Sequence, residues 1–134
     1  MVGIVVVSHS ARIAEGVREL AAQVVPAATG IVCAGGMEDG SIGTDAVRVC
    51  EAIREADGGS GVVLLADLGS AVMSAEMAIE LLGDDGASGA IDARIADAPL
   101  VEGAIAAAVE AGCGGAIDDV VRAAEEARGA RKLG

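Results

Sequence analysis

The chain has 134 residues, of which 53% are hydrophobic and none is Phe, Tyr or Trp. This length fits one domain with a substantial core. The missing aromatic side chains argue against flavin or single-stranded nucleic-acid binding, because both normally use ring stacking. A formal net charge of −12 opposes attraction to nucleic acids and anionic membranes. We therefore expect neither of these partners, whereas a protein with a basic face fits the charge.

The cysteines and the apolar segments indicate the compartment. The chain has three cysteines, Cys33, Cys50 and Cys113. This odd number, their wide spacing and the absence of a CxxC pair argue against disulfides and a zinc site. We expect them to be small buried side chains. No apolar run approaches the roughly 20 residues that span a bilayer, and no basic region precedes the first run, as it would in a signal peptide. A cytoplasmic protein is predicted.

The first predicted unit is a strand over residues 3–7 followed by a helix over residues 11–25. The strand sequence, GIVVV, is short, β-branched and continuously apolar, which is typical of a strand buried on both faces of a parallel sheet. Pro26 ends the helix. The apolar positions of this helix recur at helical spacing, and we expect them to pack against the core: Ile13, Val17, Leu20 and Val24.

A second strand is predicted over residues 30–34 and a second helix over residues 44–56, with the glycine-rich loop GGMEDGSIG between them. Thr44 is the predicted N-cap of this helix. The positions expected to face the core are Val47, Cys50 and Ile53.

A third strand over residues 61–66 leads through the turn DLGSA to a helix over residues 72–82, with Ser70 as its predicted N-cap. This helix carries two apolar stripes: Val72, Ala75, Ile79 and Leu82 form one, and Met73, Met77 and Leu81 form the other. One stripe suffices for the core, so the other covers a partner or a second copy, or else the helix is buried between layers. The remaining predicted elements are a weaker strand over residues 88–95 and helices over residues 99–111 and 116–128.

Alternating strands and helices predict an α/β fold, a single doubly wound and mostly parallel sheet with helices on both faces. The carboxyl ends of parallel strands open at one edge, where ligands bind at the point at which the strand order reverses. We therefore expect three segments that follow strands to meet there: His9, the loop 35–43 and the turn 67–71.

His9, the only histidine, lies between a strand and a helix, close to helix N–H groups that favour a phosphate. Neutral imidazole is a good nucleophile near neutral pH. A carboxylate that accepts a hydrogen bond from the other ring nitrogen would fix the tautomer, and Asp67 is the candidate for this carboxylate. A structural role for His9 as a cap or loop residue, and for the turn at 67–71 as a helix cap, remains the alternative. Neither a Walker loop nor GxGxxG is present, so nucleotide binding is poorly supported.

Three segments taken in order, VSHSARIAEGVRELAAQV, GGMEDGSIGTDAVRVCEAI and GVVLLADLGSAVMSAEMAIELL, resemble the DhaM family over about residues 2–110. DhaM is the phosphotransferase subunit of phosphotransferase-system-dependent dihydroxyacetone kinases, and its core domain is similar to the mannose-type IIA domain. The resemblance implies that the phosphocarrier HPr phosphorylates His9. By the same resemblance, we expect the phosphoryl group on Nε2, with Nδ1 left to its hydrogen-bonding partner. The phosphoryl group then passes to ADP on the DhaL subunit, and DhaK presents dihydroxyacetone.

The resemblance also implies roles for further residues. Asp67 orients the imidazole; Ser10, Gly69 and Ser70 bind the phosphoryl group; Gly35, Gly36, Gly40 and Thr44 position the second loop. No metal or cofactor is expected on this subunit beyond the covalent phosphohistidine, with Mg-ADP or ATP on DhaL. A homodimer is expected, as is a single IIA-like domain over residues 1–134 without fused HPr-like or enzyme I-like domains.

Two alternative functions remain. The first is a mannose-type IIA domain that serves a sugar transporter with the same histidine chemistry. The second is a flavodoxin-like or receiver-like binding module in which His9 is structural. The sequence lacks the aromatic side chains that hold flavin, and it lacks the acidic pair that a receiver carries after its first strand.

Overall fold

The computed structural model describes residues 1–25, 30–83 and 90–134, which form an α/β fold. In chain order its elements are β1 (Gly3–Ser8), α1 (Ala11–Val24), β2 (Ile31–Gly35), α2 (Ala46–Ala56), β3 (Val62–Ala66), α3 (Gly69–Gly83), β4 (Ala93–Ile95), α4 (Leu100–Gly112) and α5 (Ile117–Glu126), followed by a 3-10 turn at Ala127–Gly129. The predicted fold class is confirmed. None of the helices in these ranges is long and apolar enough to cross a membrane.

The sheet has the strand order β2-β1-β3-β4, and every pairing is parallel. The strand order reverses at β1, since the chain moves from β1 to β2 on one side and returns to β3 on the other. Ser8 is paired with Gly35, and Val7 with Ala66, so these three strands end level with one another. The residues that follow β1 and β3 therefore lie side by side at the switch point.

Helices cover both faces of the sheet. Val6 of β1 packs into the cluster formed with α1, α4 and α5, whereas Val5 and Val7 pack into the cluster formed with α2 and α3. All six residues of β1 are buried. The continuous apolar run at the start of the sequence is thus explained by a central strand with no solvent-facing side.

The predicted core stripe of α1 is largely wrong. Three of its four positions are about half exposed: Ile13, Leu20 and Val24. The buried face consists of Val17 with Ala14 and Ala21. These alanines let the helix lie close to β2, where a Cβ at Gly35 would stand only 2.9 Å from the Cβ of Ala14.

The start of α2 also differs from the prediction. Its N-cap is Asp45, whose carboxylate accepts the N–H of Val47 at 2.9 Å, whereas the hydroxyl of Thr44 bonds to Ser74 of α3. Val47 is exposed, because steps of three residues drift around a helix and bring this position to the side away from the core. The other two inward positions are confirmed as buried: Cys50 and Ile53.

Helix α3 begins three residues earlier than predicted, at Gly69. Ser70 consequently lies in the first turn and is not the N-cap, and the carbonyl of Leu68 accepts the N–H groups of Ala71 and Val72. The core-facing residues are alanines, namely Ala71, Ala75 and Ala78, and the second apolar stripe is exposed: Met73, Met77 and Leu81. The interpretation of a helix buried between layers is therefore wrong.

The burial of the cysteines and the length of the fourth strand also differ from the prediction. Cys50 is buried, but Cys33 is only half-buried and Cys113 is exposed, so the expectation that all three are buried is wrong. Partial burial raises the pKa of the Cys33 thiol. The fourth strand is shorter than predicted, and residues 88–89 of that prediction, like Pro26, lie outside the described residues.

Replacing Gly35 by Ala is expected to lower the free energy of unfolding by about 1–3 kcal/mol, because the new Cβ would lie 2.8 Å from the carbonyl oxygen of Ser10 and push α1 from the sheet. Gly16→Ala is the matched control, since Gly16 lies in α1 itself and a Cβ added there would meet no other atom within 4 Å. This change is expected to raise the free energy of unfolding by up to about 1 kcal/mol. Urea unfolding measures both; equal effects would contradict the tight packing of α1 on β2.

Candidate active site at the carboxyl edge of the sheet

The structure brings His9 and Asp67 together at the switch point. His9 follows β1 and Asp67 follows β3, and His9 Nδ1 lies 2.8 Å from Asp67 Oδ1. The backbone N–H of His9 also donates to Asp67 Oδ2 at 3.0 Å. The two side chains are 20% and 13% exposed, so the pair is shielded from most water while part of the imidazole remains open to solvent.

Asp67 accepts four hydrogen bonds. Besides the two from His9, the hydroxyl of Ser8 donates to Oδ2 and the N–H of Leu68 donates to Oδ1, each at 2.8 Å. Partial burial raises the pKa of the Asp67 carboxyl, but the hydrogen bonds from His9, Ser8 and Leu68 outweigh it, so the pKa lies below its ordinary value. The carboxylate is therefore ionised at neutral pH.

The charge of Asp67 determines which nitrogen of His9 carries the proton. An ionised carboxylate only accepts hydrogen bonds, so Nδ1 of His9 donates to it. In the neutral imidazole Nε2 then has the free lone pair, and the hydroxyl of Ser70, which contacts Nε2 from the first turn of α3, is the donor. The arrangement presents an unprotonated Nε2 on the side of the ring away from the carboxylate.

Ser8 is a site residue that the sequence analysis missed. It is the fully buried last residue of β1, and its hydroxyl donates to Asp67 and accepts the N–H of Ser10 at 3.1 Å. Ser8 thereby links the carboxylate of one strand to the start of α1. The sequence does show a polar residue at the end of an apolar strand, but the partner of Ser8, Asp67, is 59 positions away in sequence.

The second loop holds the backbone of the histidine segment. The N–H of Gly36 donates to the carbonyl of Ser8 at 3.1 Å, and the N–H of Gly43 donates to the carbonyl of His9 at 2.9 Å. Both glycines have positive φ, +70° and +149°, which other residues rarely adopt. Gly43 ends the predicted loop 35–43 but was not among the residues given a positioning role there, although it makes the more direct contact with His9.

The other predicted loop residues lie farther from the imidazole. Gly40 has φ +87° and closes a turn within the loop by donating to the carbonyl of Met37. Thr44 bonds to Ser74 at 2.6 Å and so joins the loop to α3. Gly35 lies under the start of α1, where there is no room for a side chain.

The predicted phosphate-binding residues lie at two helix starts. Ser10 is the N-cap of α1, and its hydroxyl accepts the N–H of Ile13 at 3.4 Å. Gly69 and Ser70 begin α3, whose first amides have no partner within the helix. Because a helix N-terminus attracts anions, the start of α3 beside Nε2 is suited to a phosphoryl group.

An open groove of about 440 Å³ adjoins the site on the β4 side. Its walls come from the β3–α3 turn and from the segment after β4, including Asp67, Gly69 and Asp97. Within the described residues no group of three or more His, Cys, Asp or Glu side chains is placed to hold a metal ion.

Comparison with known proteins places this chain in a family. A family model described as PTS system fructose IIA component matches residues 3–121. A phosphoryl donor subunit DhaM of a PEP-dependent dihydroxyacetone kinase 2, from Listeria innocua, is 40% identical over 110 residues, with 82% of this chain and 86% of the relative covered.

Longer relatives and a solved structure also match. The DhaM phosphoryl donor subunits of Escherichia coli and Providencia stuartii are 46% and 42% identical and cover 90% and 98% of this chain. The chain spans only about a quarter of their length, 26% and 28%. A crystal structure described as unknown function protein EF1359 superposes with a TM-score of 0.81 at 36% identity, with both chains fully covered.

The family model over residues 3–121 assigns this doubly wound parallel sheet to the IIA-type components of the phosphotransferase system. Within that class, the chain belongs to the mannose-type IIA family that includes the DhaM subunits.

Proposed function

We propose that this chain is a histidine phosphocarrier, in which Nε2 of His9 accepts a phosphoryl group from HPr and passes it to ADP bound by DhaL. This transfer supports the phosphorylation of dihydroxyacetone presented by DhaK. The observation that carries the proposal is the hydrogen bond from His9 Nδ1 to Asp67, because it leaves Nε2 unprotonated. The names of the relatives supply the substrate class.

The transfer step needs little covalent machinery from the protein. The lone pair of Nε2 attacks phosphorus while the bond from phosphorus to the HPr nitrogen breaks, and Nδ1 keeps its proton throughout. The imidazole gains positive charge as the new N–P bond forms. The Asp67 carboxylate, 2.8 Å from Nδ1, stabilises that charge and holds the ring in line with the incoming group.

The start of α3 receives the phosphoryl oxygens. Ser70 moves its hydroxyl from Nε2 to a phosphoryl oxygen when the N–P bond forms, and the amides of Gly69 and Ser70 donate to the same group. These donors face charge that is already present on the phosphoryl group, so the same site serves acceptance and the onward transfer to ADP. No general base is required on this chain.

A second function is favoured by one observation, the description of the matching family model as a fructose IIA component. In that function His9 would pass its phosphoryl group to the IIB domain of a sugar transporter. The histidine chemistry is the same, so the two functions differ only in the acceptor protein.

Reconstitution distinguishes these acceptors. The chain is mixed with phosphoenolpyruvate, enzyme I, HPr, DhaK, dihydroxyacetone and DhaL loaded with Mg-ADP, and dihydroxyacetone phosphate is measured. We expect product only when this chain is present. Transfer to a mannose-type IIB domain, with none to DhaL-bound ADP, would contradict the kinase role and support the transporter role.

Ser8→Ala is expected to lower the free energy of unfolding by about 1–2 kcal/mol, because it removes the donor to Asp67 and leaves the N–H of Ser10 without its acceptor. Phosphorylation of His9 should slow several-fold, since the carboxylate is less firmly placed. Ser41→Ala is the matched control, because the Ser41 hydroxyl donates to the exposed Asp39 carboxylate of the second loop. Urea unfolding and single-turnover transfer are measured for both variants. Equal losses of stability and of transfer rate in the two would show that Ser8 has no special role in the site.

A further inference from the structure

Two segments of the chain hold His9. The first is the connection from β2 to α2, residues 36–45, in which the N–H of Gly43 donates to the His9 carbonyl at 2.9 Å. The second is the first turn of α3, from which the Ser70 hydroxyl bonds to Nε2 of the imidazole. The geometry around Nε2 therefore depends on how the β2–α2 connection and α3 are placed relative to each other.

A pair of hydroxyl groups joins these two segments. Thr44 directly follows Gly43 in the sequence, and Ser74 lies one turn after Ser70 on the same face of α3. Thr44 Oγ1 is 2.6 Å from Ser74 Oγ, and both side chains are half-buried. The hydrogen bond thus spans the two segments that hold His9, one helical turn from the residue that contacts Nε2.

The helices themselves do not need this pair. Asp45, not Thr44, caps α2, and Ser74 lies in the interior of α3, where serine is a weaker helix former than alanine. The two helices already pack together through buried apolar side chains, among them Ile53 of α2 and Ala75 of α3. The hydroxyl pair is therefore not explained by helix capping or by the contact between α2 and α3.

The path of the β2–α2 connection is set by hydrogen bonds to its neighbours, since it contains no helix or strand. The N–H of Gly36 donates to the carbonyl of Ser8, and the guanidinium of Arg48 donates to the carbonyl of Gly36 at 3.3 Å. These bonds attach the connection to β1 and α2, whereas the bond from Thr44 attaches it to α3. Without that bond the connection would still hold the His9 backbone but could shift relative to Ser70.

We propose that Ser74 is a positioning residue for phosphoryl transfer, which acts with Thr44 to fix the start of α3 relative to the His9 backbone. The inference rests on the proposed function, because it takes Nε2 of His9 as the atom that accepts the phosphoryl group. The hydrogen bond keeps the Ser70 hydroxyl and the first amides of α3 aligned with Nε2. A displacement of about 1 Å can slow a transfer reaction about 100-fold, so one hydrogen bond at this place has a measurable effect.

Ser74→Ala and Thr44→Val each remove the hydrogen bond. Single-turnover transfer to His9 is measured with phosphorylated HPr over a range of concentrations, and with phosphoramidate, a small donor that needs no protein docking. We expect each variant to lower the maximal rate about 10-fold with both donors, because the alignment at Nε2 is changed. The half-saturating concentration of HPr should stay within about twofold of the wild-type value, because the surface that HPr meets is not altered.

Three further variants serve as controls. Thr44→Ser keeps a hydroxyl at the same position, so its maximal rate should recover to within about threefold of wild type. Ser41→Ala removes a hydroxyl of the same connection that bonds to the exposed Asp39 and not to α3, and it should transfer as wild type. The double variant Thr44→Val with Ser74→Ala should be no slower than either single variant, because both changes remove the same bond.

The nitrogen NMR resonance of His9 Nε2 in the unphosphorylated chain reports the Ser70 contact without any partner protein. Nε2 accepts a hydrogen bond from the Ser70 hydroxyl, so loss of alignment moves its resonance toward that of a ring nitrogen with no donor. We expect this change in Ser74→Ala and Thr44→Val but not in Ser41→Ala. A residue needed only for folding would lower the free energy of unfolding and leave the resonance in place.

Urea unfolding identifies the variants that fold, and either single variant tests the bond if the other does not fold. The inference is overturned if a folded variant transfers at the wild-type rate, if the two effects multiply in the double variant, or if neither variant folds. It is also overturned if only the half-saturating concentration of HPr rises, because the pair then serves partner binding. In each of these cases a labelled wild type leaves the phosphocarrier role standing, whereas a wild type that takes no label from either donor contradicts that role itself.

Discussion

His9→Ala is expected to reduce phosphoryl transfer from HPr by at least about 10³-fold, to the background of the assay. The variant removes the only imidazole in the chain. The neighbouring Ser70 hydroxyl cannot replace it, because Ser70 would need a base and the imidazole that its hydroxyl contacts is the group removed. Transfer to ADP on DhaL should be lost in parallel, since both steps of the proposed function use the same nitrogen.

The fold is expected to survive this change. His9 lies at the edge of the sheet, and its replacement leaves the packing of β1 intact, so the free energy of unfolding should change by no more than about 2 kcal/mol. Urea unfolding and the labelling assay are run on the same preparation. A stable His9→Ala protein that still takes up phosphate at the wild-type rate would contradict the role of His9.

Asp67→Asn is expected to slow transfer about 100-fold, the upper end of what an orienting carboxylate usually contributes. The carboxylate accepts four donors, but an amide offers one oxygen and one NH₂ group. If the oxygen keeps the bonds from Ser8 and the His9 N–H, the NH₂ group faces Nδ1. Nδ1 then accepts, the ring proton moves to Nε2, and the nucleophilic lone pair is lost.

Asp97→Asn is the matched control for this variant. Asp97 lies in the segment after the neighbouring strand β4, at the same edge of the sheet, but its carboxylate bonds to Arg128 and not to His9. Transfer by Asp97→Asn should stay within about twofold of wild type. Equal transfer rates for Asp67→Asn and wild type would show that Asp67 only supports the turn and does not orient the imidazole of His9.

The low pKa of Asp67 also predicts how its variant responds to acid. Since the pKa in the folded state lies below the unfolded value of about 3.9, the carboxylate stabilises the fold above that pH. This contribution is lost as the pH falls through the folded value. The difference in unfolding free energy between wild type and Asp67→Asn should therefore be constant near neutrality and shrink below about pH 4. A constant difference down to lower pH would contradict the shift.

The central sheet and the meeting of His9 with Asp67 were predictable from the sequence. A parallel strand covered on both faces needs a continuous apolar run, which β1 and β3 both show. Because such strands share one direction, residues that follow them in sequence meet at one edge, even when 58 positions apart. The prediction used only the ends of strands and needed no knowledge of side-chain packing.

The orientation of helices and the supporting contacts were not predictable in this way. On α1 the stripe of larger side chains and the stripe of alanines are both helical in spacing, and the closeness of Gly35 decides which one faces the sheet. Likewise, Ser8 and Gly43 act through groups that are distant in sequence. Such contacts depend on the assembled loops and leave no local pattern.

The position of the phosphoryl group is tested most directly by NMR of the wild-type chain after phosphorylation by HPr, with isotope-labelled histidine. Coupling between phosphorus and the ring nitrogens identifies the bonded atom. We expect one acid-labile phosphoryl group on Nε2 of His9, with the proton retained on Nδ1 beside Asp67. A phosphoryl group on Nδ1, or on the Ser70 hydroxyl, would contradict the proposed phosphocarrier site.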